Sequence, residues 1–236
     1  MPTTARAHTT AAAPAHSGPA AVAMRRVGMF GGTFDPVHAA HLRMAGAFFT
    51  QCQLDQLRLI PAGNPYHRDN GPQASAEQRL AMVQLAIADR SGWLADDREV
   101  RRARPAYTVE TLEELRAELG PDCQLWLLIG GDSLHNLPRW QRWQDILHLA
   151  NIAVAVRPGF DAANLPAVLL PYWQQVPDFS NSAASGTIRA LTLPPVPLSA
   201  TELRHKLAAG EDCSGLIPAD VMQYIHRHQL YRNTAR

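Results

Sequence analysis

Cysteine is scarce in this chain. Cys52, Cys123 and Cys213 are odd in number, far apart and never in a CxxC pair. That pattern argues against a disulfide framework and against a cysteine-built zinc site, and it points to a reducing compartment, the cytoplasm. The three thiols read as small buried apolar residues. Charge is also thin: 18% of residues are charged, and 22 basic against 21 acidic side chains leave a net charge of +1. No global field draws the protein to nucleic acid or to an anionic membrane, so any phosphate must be bound by a local site. No apolar run approaches the ~18 residues that cross a bilayer. Residues 1–23 are rich in Ala, Thr and Pro and contain no apolar stretch of the signal-peptide kind. Residues 1–24 are expected to form a disordered tail and residues 25–236 a single domain. The two common Gly-rich phosphate loops, GxxxxGK[ST] and GxGxxG, are missing as well.

What is present alternates. Arg26 to Phe30, Gln56 to Ile60, Gln124 to Ile129, Ile152 to Val156 and Thr187 to Leu193 read as strands. Between them lie helical patterns. Ala39 to Gln51 carries Leu42, Ala45 and Phe49 on one face, and a helix capped by Ser75 carries Leu80, Val83 and Ile87. Val109 to Leu119 is a further helix stopped by Gly120-Pro121, and Leu137 to Leu149 another. Ser199 to Ala209 and Ala219 to Gln229 close the chain as helices, while the Pro-rich stretch from Arg157 to Ala184 has no clear pattern. The alternation predicts an α/β fold with a parallel sheet. The run QLWLLI (residues 124–129) is its central strand, buried on both faces. Ligands of such sheets sit beyond the carboxyl ends of the strands. The segments after Phe30, Ile129 and Leu193 fall there.

The first of these reads GGTFDPVHAAH (residues 31–41). Glycines after a strand let backbone approach a ligand closely, and the N–H groups that follow can face an anion. Gly31-Gly32 alone is equally a tight turn. His38 and His41 are spaced to share one face of a helix start, which suits a phosphate better than a metal, since zinc wants a third protein ligand. At the far end, LSATELRHKL (residues 198–207) offers Ser199 as an N-cap, with Glu202 completing a capping box. An ordinary capped helix accounts for Ser199 and Glu202 but does not require Thr201 or Arg204. A hydroxyl, unpaired N–H groups and a guanidinium at a helix start also make a phosphate cradle.

Taken together the motifs resemble the bacterial nicotinate-nucleotide adenylyltransferases of the nucleotidyltransferase superfamily. GGTFDPVHAAH is similar to the GGxFDPxHxGH signature, and PAGNPYHR (61–68) to PxxxPPHK. Tyr107-Thr108 with Thr111 resembles YTxDT, IGGDSLHNLPRW (129–140) resembles GADSxxxLxxW, and LSATELR resembles ISSTxIR. The likeness runs in the family's order from about Arg25 to Tyr231. Departures are Ala40 for Gly, Gly131 for Ala, Ala200 for Ser, Glu110 for Asp, and Tyr66 and Arg68 for Pro and Lys.

The resemblance implies a Rossmann-like sheet with helices on both faces and C-terminal helices. It also implies adenylyl transfer from ATP to nicotinate mononucleotide. In that picture His38, His41 and Arg204 are catalytic, holding the triphosphate and the departing pyrophosphate. Gly31, Gly32, Thr33, Phe34, Asp132, Ser199 and Thr201 bind ATP. Tyr107, Thr108, Trp140, Gln141 and His67 receive the acceptor, and Trp140 stacks on its pyridine ring. Mg²⁺ is expected on phosphates and water, with no dedicated protein ligands. Nucleic acid and membrane are not expected as partners, and self-association is left open. Three alternatives remain at this level: another acceptor (nicotinamide mononucleotide or phosphopantetheine), a DNA-binding pair of C-terminal helices, and an inactive nucleotide sensor permitted by Ala40. The linker from Gly210 to Pro218 is longer than a helix-turn-helix turn, which counts against the second.

Overall fold

The computed structural model describes residues 24–63, 71–156, 159–175, 179, 183–194 and 198–232. Six strands form one sheet: β1 (Arg26–Gly32), β2 (Gln56–Pro61), β3 (Trp93–Ala95), β4 (Gln124–Gly130), β5 (Asn151–Ala155) and β6 (Ile188–Leu191). The order is β3-β2-β1-β4-β5-β6, and every pairing is parallel. The chain winds outward from β1 to β3, then returns across β1 to start β4. The switch point between β1 and β4 opens a crevice at the carboxyl ends of those two strands.

Side chains alternate along each strand, so each strand feeds two cores. Leu125, Leu127 and Ile129 face one layer; Trp126 and Leu128 face the other. Both sets are buried, which is why β4 reads as an unbroken apolar run. The helices divide accordingly. α1 (Ala39–Gln51), α2 (Ala76–Ala86), α6 (Ala200–Ala209) and α7 (Ala219–Arg227) contribute Phe48, Met82, Leu203 and Ile225 to one core. α3 (Thr108–Leu119), α4 (Gly131–Asn136) and α5 (Trp143–Leu149) contribute Leu112, Leu134 and Ile146 to the other. Each fully buried apolar side chain of this kind stabilises the fold by about 1.5–3 kcal/mol.

Local chemistry sets several ends. Ser75 and Gln78 form a reciprocal capping box at the head of α2. Gly120 ends α3 at φ +82°, a conformation open to glycine. Gly28 in β1 has a packing role: a Cβ there would lie 2.4 Å from Leu54 and 2.7 Å from Phe48.

Some expectations shift. The buried face of α1 is Ala40, Ala45 and Phe48, while Leu42 and Phe49 flank it half-buried. The buried face of α2 includes Arg79, Met82, Val83 and Ala86, with Leu80 at its margin. The single helix expected over Leu137 to Leu149 is two pieces, a 3₁₀ turn over Leu137–Arg139 and α5 from Trp143, and a further helix, α4, precedes them from Gly131 to Asn136. Arg142 makes the break in left-handed backbone (φ 51°), held by Asp145 at 2.6 Å and Glu113 at 2.7 Å. Strand β3 was not expected; at three residues it is too short to carry a period. In the Pro-rich stretch, two 3₁₀ turns cover Ala162–Asn164 and Ala167–Tyr172. The tail expected over 1–24 lies outside the described residues apart from Met24. No helix among the described residues is long and apolar enough to cross a membrane.

Candidate active site

The crevice between β1 and β4 holds a cavity of about 730 Å³. Gly31, Gly32 and Thr33 supply one wall as they leave β1. Asp132, at the head of α4, supplies the floor beyond β4. Tyr107 and Thr108 open α3 on the opposite wall, beside Trp140 and Gln141. Eight residues singled out in sequence therefore line one cavity. Gly31 has room beside it, since a Cβ there would meet only the Met29 side chain at 3.6 Å. Gly131 also has room: a Cβ there meets Phe160 at 3.7 Å, an ordinary contact, so this departure from the family pattern leaves an unfilled methyl site. Asp132 is the second residue of α4 and not its N-cap, which is Gly130. Thr108, the first residue of α3, and Gln141 line the same space. His67 lies outside the described residues.

His38 is the N-cap residue of α1, in extended backbone, and His41 is one turn on. Their rings stack with centroids 3.8 Å apart and planes at 28°. Neither Nδ1 atom has a hydrogen-bond partner, and both are shielded from solvent. Burial pushes the His38 pKa down to about 4, and His41 is lowered well below the usual histidine range by burial and by His38 beside it. The geometry keeps two neutral imidazoles with unmet hydrogen-bonding capacity, which an anion could turn into donors. Phe34, expected along the nucleotide, is 1% exposed, so it backs the site and does not line it. Its ring packs edge-on to His41 at 5.1 Å and to Phe30 at 5.3 Å, from left-handed backbone (φ 51°). Ala40 is buried in the first turn of α1 between the two histidines.

Arg204 arrives from α6, which packs on the same face of the sheet as α1. Its guanidinium donates to the Asp35 carbonyl at 2.8 Å and to Thr201 Oγ1 at 3.2 Å. Ser199 caps α6, accepting from Glu202 N–H at 3.1 Å; the return bond from Glu202 is not formed, so the expected box is half complete. Ser199, Thr201, Arg204 and the histidine pair do not line the cavity itself. Arg204 is tied to the loop that continues from its Gly32-Thr33 wall, and His38 stands where that loop enters α1.

Three residues that position these loops were missed. Arg79 is 1% exposed, and its guanidinium donates to the carbonyls of Thr33 at 2.8 Å and Gly63 at 2.9 Å. It ties the loop after β1 to the loop after β2. Gly63 lies so close to Glu99 that a Cβ would fall 2.0 Å from the Glu99 carbonyl oxygen. Glu99 lines the cavity nearly buried and accepts from Thr111 Oγ1 at 2.7 Å; burial pushes its carboxyl up. Only the spacing of Thr111 in the Tyr107 segment hinted at Glu99, which sits in a charged run that reads as a solvated loop.

The chain matches the cytidylyltransferase-like family over residues 29–206. It is 63% identical over 209 residues to a Chromobacterium violaceum protein named probable nicotinate-nucleotide adenylyltransferase, spanning 88% of this chain and 99% of that one. It is 50% identical over 209 residues to a Laribacter hongkongensis protein of the same name, spanning 88% and 94%. Among solved structures it is similar to Plasmodium falciparum nicotinic acid mononucleotide adenylyltransferase complexed with NaAD, with a TM-score of 0.68 at 16% identity over 88% of this chain and 97% of that one. The fold is thus that of a nucleotidyltransferase, and by its sequence the chain belongs to the nicotinate-nucleotide adenylyltransferase family.

Proposed function

We propose that this protein transfers the adenylyl group of ATP to nicotinate mononucleotide, giving deamido-NAD and pyrophosphate in NAD biosynthesis. One observation supports it above the others. Arg204 is tied to the carbonyl of Asp35, three residues before His38 of the stacked His38–His41 pair, on the loop that leaves the cavity wall at Gly32-Thr33.

The acceptor phosphate is already anionic at neutral pH, so it attacks the α-phosphorus of ATP without a general base. The protein's part is alignment and charge stabilisation. His38 and His41 receive the triphosphate. Arg204, with Ser199 and Thr201, grips the β and γ phosphates and the leaving pyrophosphate. Gly31, Gly32 and Thr33 run along the nucleotides, and Asp132 accepts from ribose hydroxyls. Trp140 stacks on the pyridine ring, with Tyr107 shaping its pocket and His67 near the acceptor. Backbone N–H groups at Thr108 and Gln141 favour the acid over the amide, whose NH₂ would meet other donors.

Among the described residues no three His, Cys, Asp or Glu side chains are grouped to hold a metal ion. The Asp35 carboxylate is already occupied by the N–H groups of Gln73 and Ala74 and by Tyr231. A magnesium ion fits as a companion of the nucleotide, held by phosphate oxygens and water, where it neutralises phosphate charge. We treat residues 25–236 as one catalytic unit. The buried, free state of Cys52, Cys123 and Cys213 supports a cytoplasmic setting.

The test is pyrophosphate release with ATP and either nicotinate or nicotinamide mononucleotide. A strong preference for the acid is expected. Equal rates would refute the acceptor pocket, and release with phosphopantetheine alone would replace the function.

A further inference from the structure

The Asp35 carboxylate is 2% exposed and accepts three hydrogen bonds. Oδ1 accepts from Ala74 N–H at 3.1 Å and from the Tyr231 hydroxyl at 2.8 Å, and Oδ2 accepts from Gln73 N–H at 2.9 Å. Arg204 stands 3.8 Å from Oδ2, too far for a hydrogen bond, and donates instead to the Asp35 carbonyl. These three donors offset part of the carboxylate's pull on Arg204, which rests on the carbonyl with its other N–H groups available to a phosphate.

Tyr231 is an unusual donor. It is 5% exposed and takes left-handed backbone (φ 59°), a conformation unfavourable for a non-glycine residue. A ring that only filled space among Phe34, Leu203 and Ile225 would need neither that backbone nor a hydroxyl. The strained conformation aims the phenol at a carboxylate 196 positions away, three residues before His38.

We propose that Tyr231 is a positioning residue for ATP binding: by satisfying the Asp35 carboxylate it keeps the Arg204 guanidinium on the Asp35 carbonyl and turned toward the phosphate site. The inference rests on the phosphate role given to Arg204 above. Without the hydroxyl, Oδ1 keeps a buried unmet lone pair. Arg204, already 3.8 Å from Oδ2, then turns from the Asp35 carbonyl to the under-bonded carboxylate and withdraws from the phosphate.

The test is Tyr231→Phe in the full chain, which keeps the ring. ATP affinity is read by calorimetry and turnover by pyrophosphate release. Far-UV circular dichroism and the acceptor KM stay as in wild type, while ATP binds about ten-fold more weakly. On an Arg204→Lys background the same change adds less than about three-fold, because the two act through one contact. Wild-type ATP affinity and turnover in Tyr231→Phe, with only a lower melting temperature, overturns the inference. So does an undiminished loss on the Arg204→Lys background. Wild-type ATP affinity in Arg204→Lys alone overturns the phosphate role of Arg204, and this inference with it.

Discussion

Arg204 donates to the carbonyl of Asp35 at 2.8 Å across 169 positions of sequence. That contact joins α6 to the loop that leads into His38, and it links two motifs that are distant in sequence. Arg204→Lys keeps the charge but loses the planar fork. We expect turnover to fall about 100-fold and ATP affinity about ten-fold, with the acceptor KM unchanged. Steady-state kinetics with each substrate varied checks the split.

The imidazole pair gives a pH signature. A histidine whose folded pKa lies below its unfolded value binds fewer protons when folded, so stability falls as pH drops through the interval between the two values. For His38 that interval runs from 6.5 down to about 4. The loss is fully present only below the lower value, at about 3 kcal/mol. Urea unfolding at pH 7 and pH 4.5 should show a shallower loss in His38→Gln than in wild type. An identical loss in both proteins would contradict the buried neutral state.

Gly63→Ala forces a methyl carbon to within 2.0 Å of the Glu99 carbonyl, so the backbone of one of the two loops must move. The expected cost is about 2 kcal/mol or more, with a raised acceptor KM. Gly46→Ala in α1 is the control. A Cβ there meets nothing within 4 Å, and the helix gains about 0.5–1 kcal/mol. Chemical denaturation of the two variants should move in opposite directions.

Arg79→Met removes the clamp between Thr33 and Gly63 and leaves two half-buried carbonyls without those donors. A loss of about 3 kcal/mol is expected, together with weaker binding of both substrates, since both cavity walls loosen. Unfolding by urea gives the first quantity and the two KM values the second.

The parts of this molecule that were legible in sequence are those whose cause is local. α1 matches its expected span of Ala39–Gln51, and β1, β2 and β4 match within two residues at each end, because apolar period and Gly or Pro punctuation are written into the segment itself. The break at Arg142 was hidden because a charged residue, and not glycine, takes the left-handed turn and is held there by Asp145 and by Glu113 in another helix. The cavity residues were legible as a pattern of motifs. The supports behind them were not. Arg79 works through backbone carbonyls, which carry no side-chain signature, and Tyr231 through a carboxylate near the other end of the chain. Nor does spacing reveal that the two histidines are buried enough to be neutral.

Turnover of His41→Ala tests the central claim most directly, because it asks whether the stacked pair serves the reacting phosphates or merely fills the start of α1. The account predicts a fall in kcat of about 100-fold or more with the KM for nicotinate mononucleotide unchanged. Wild-type kcat in a folded His41→Ala protein would contradict it.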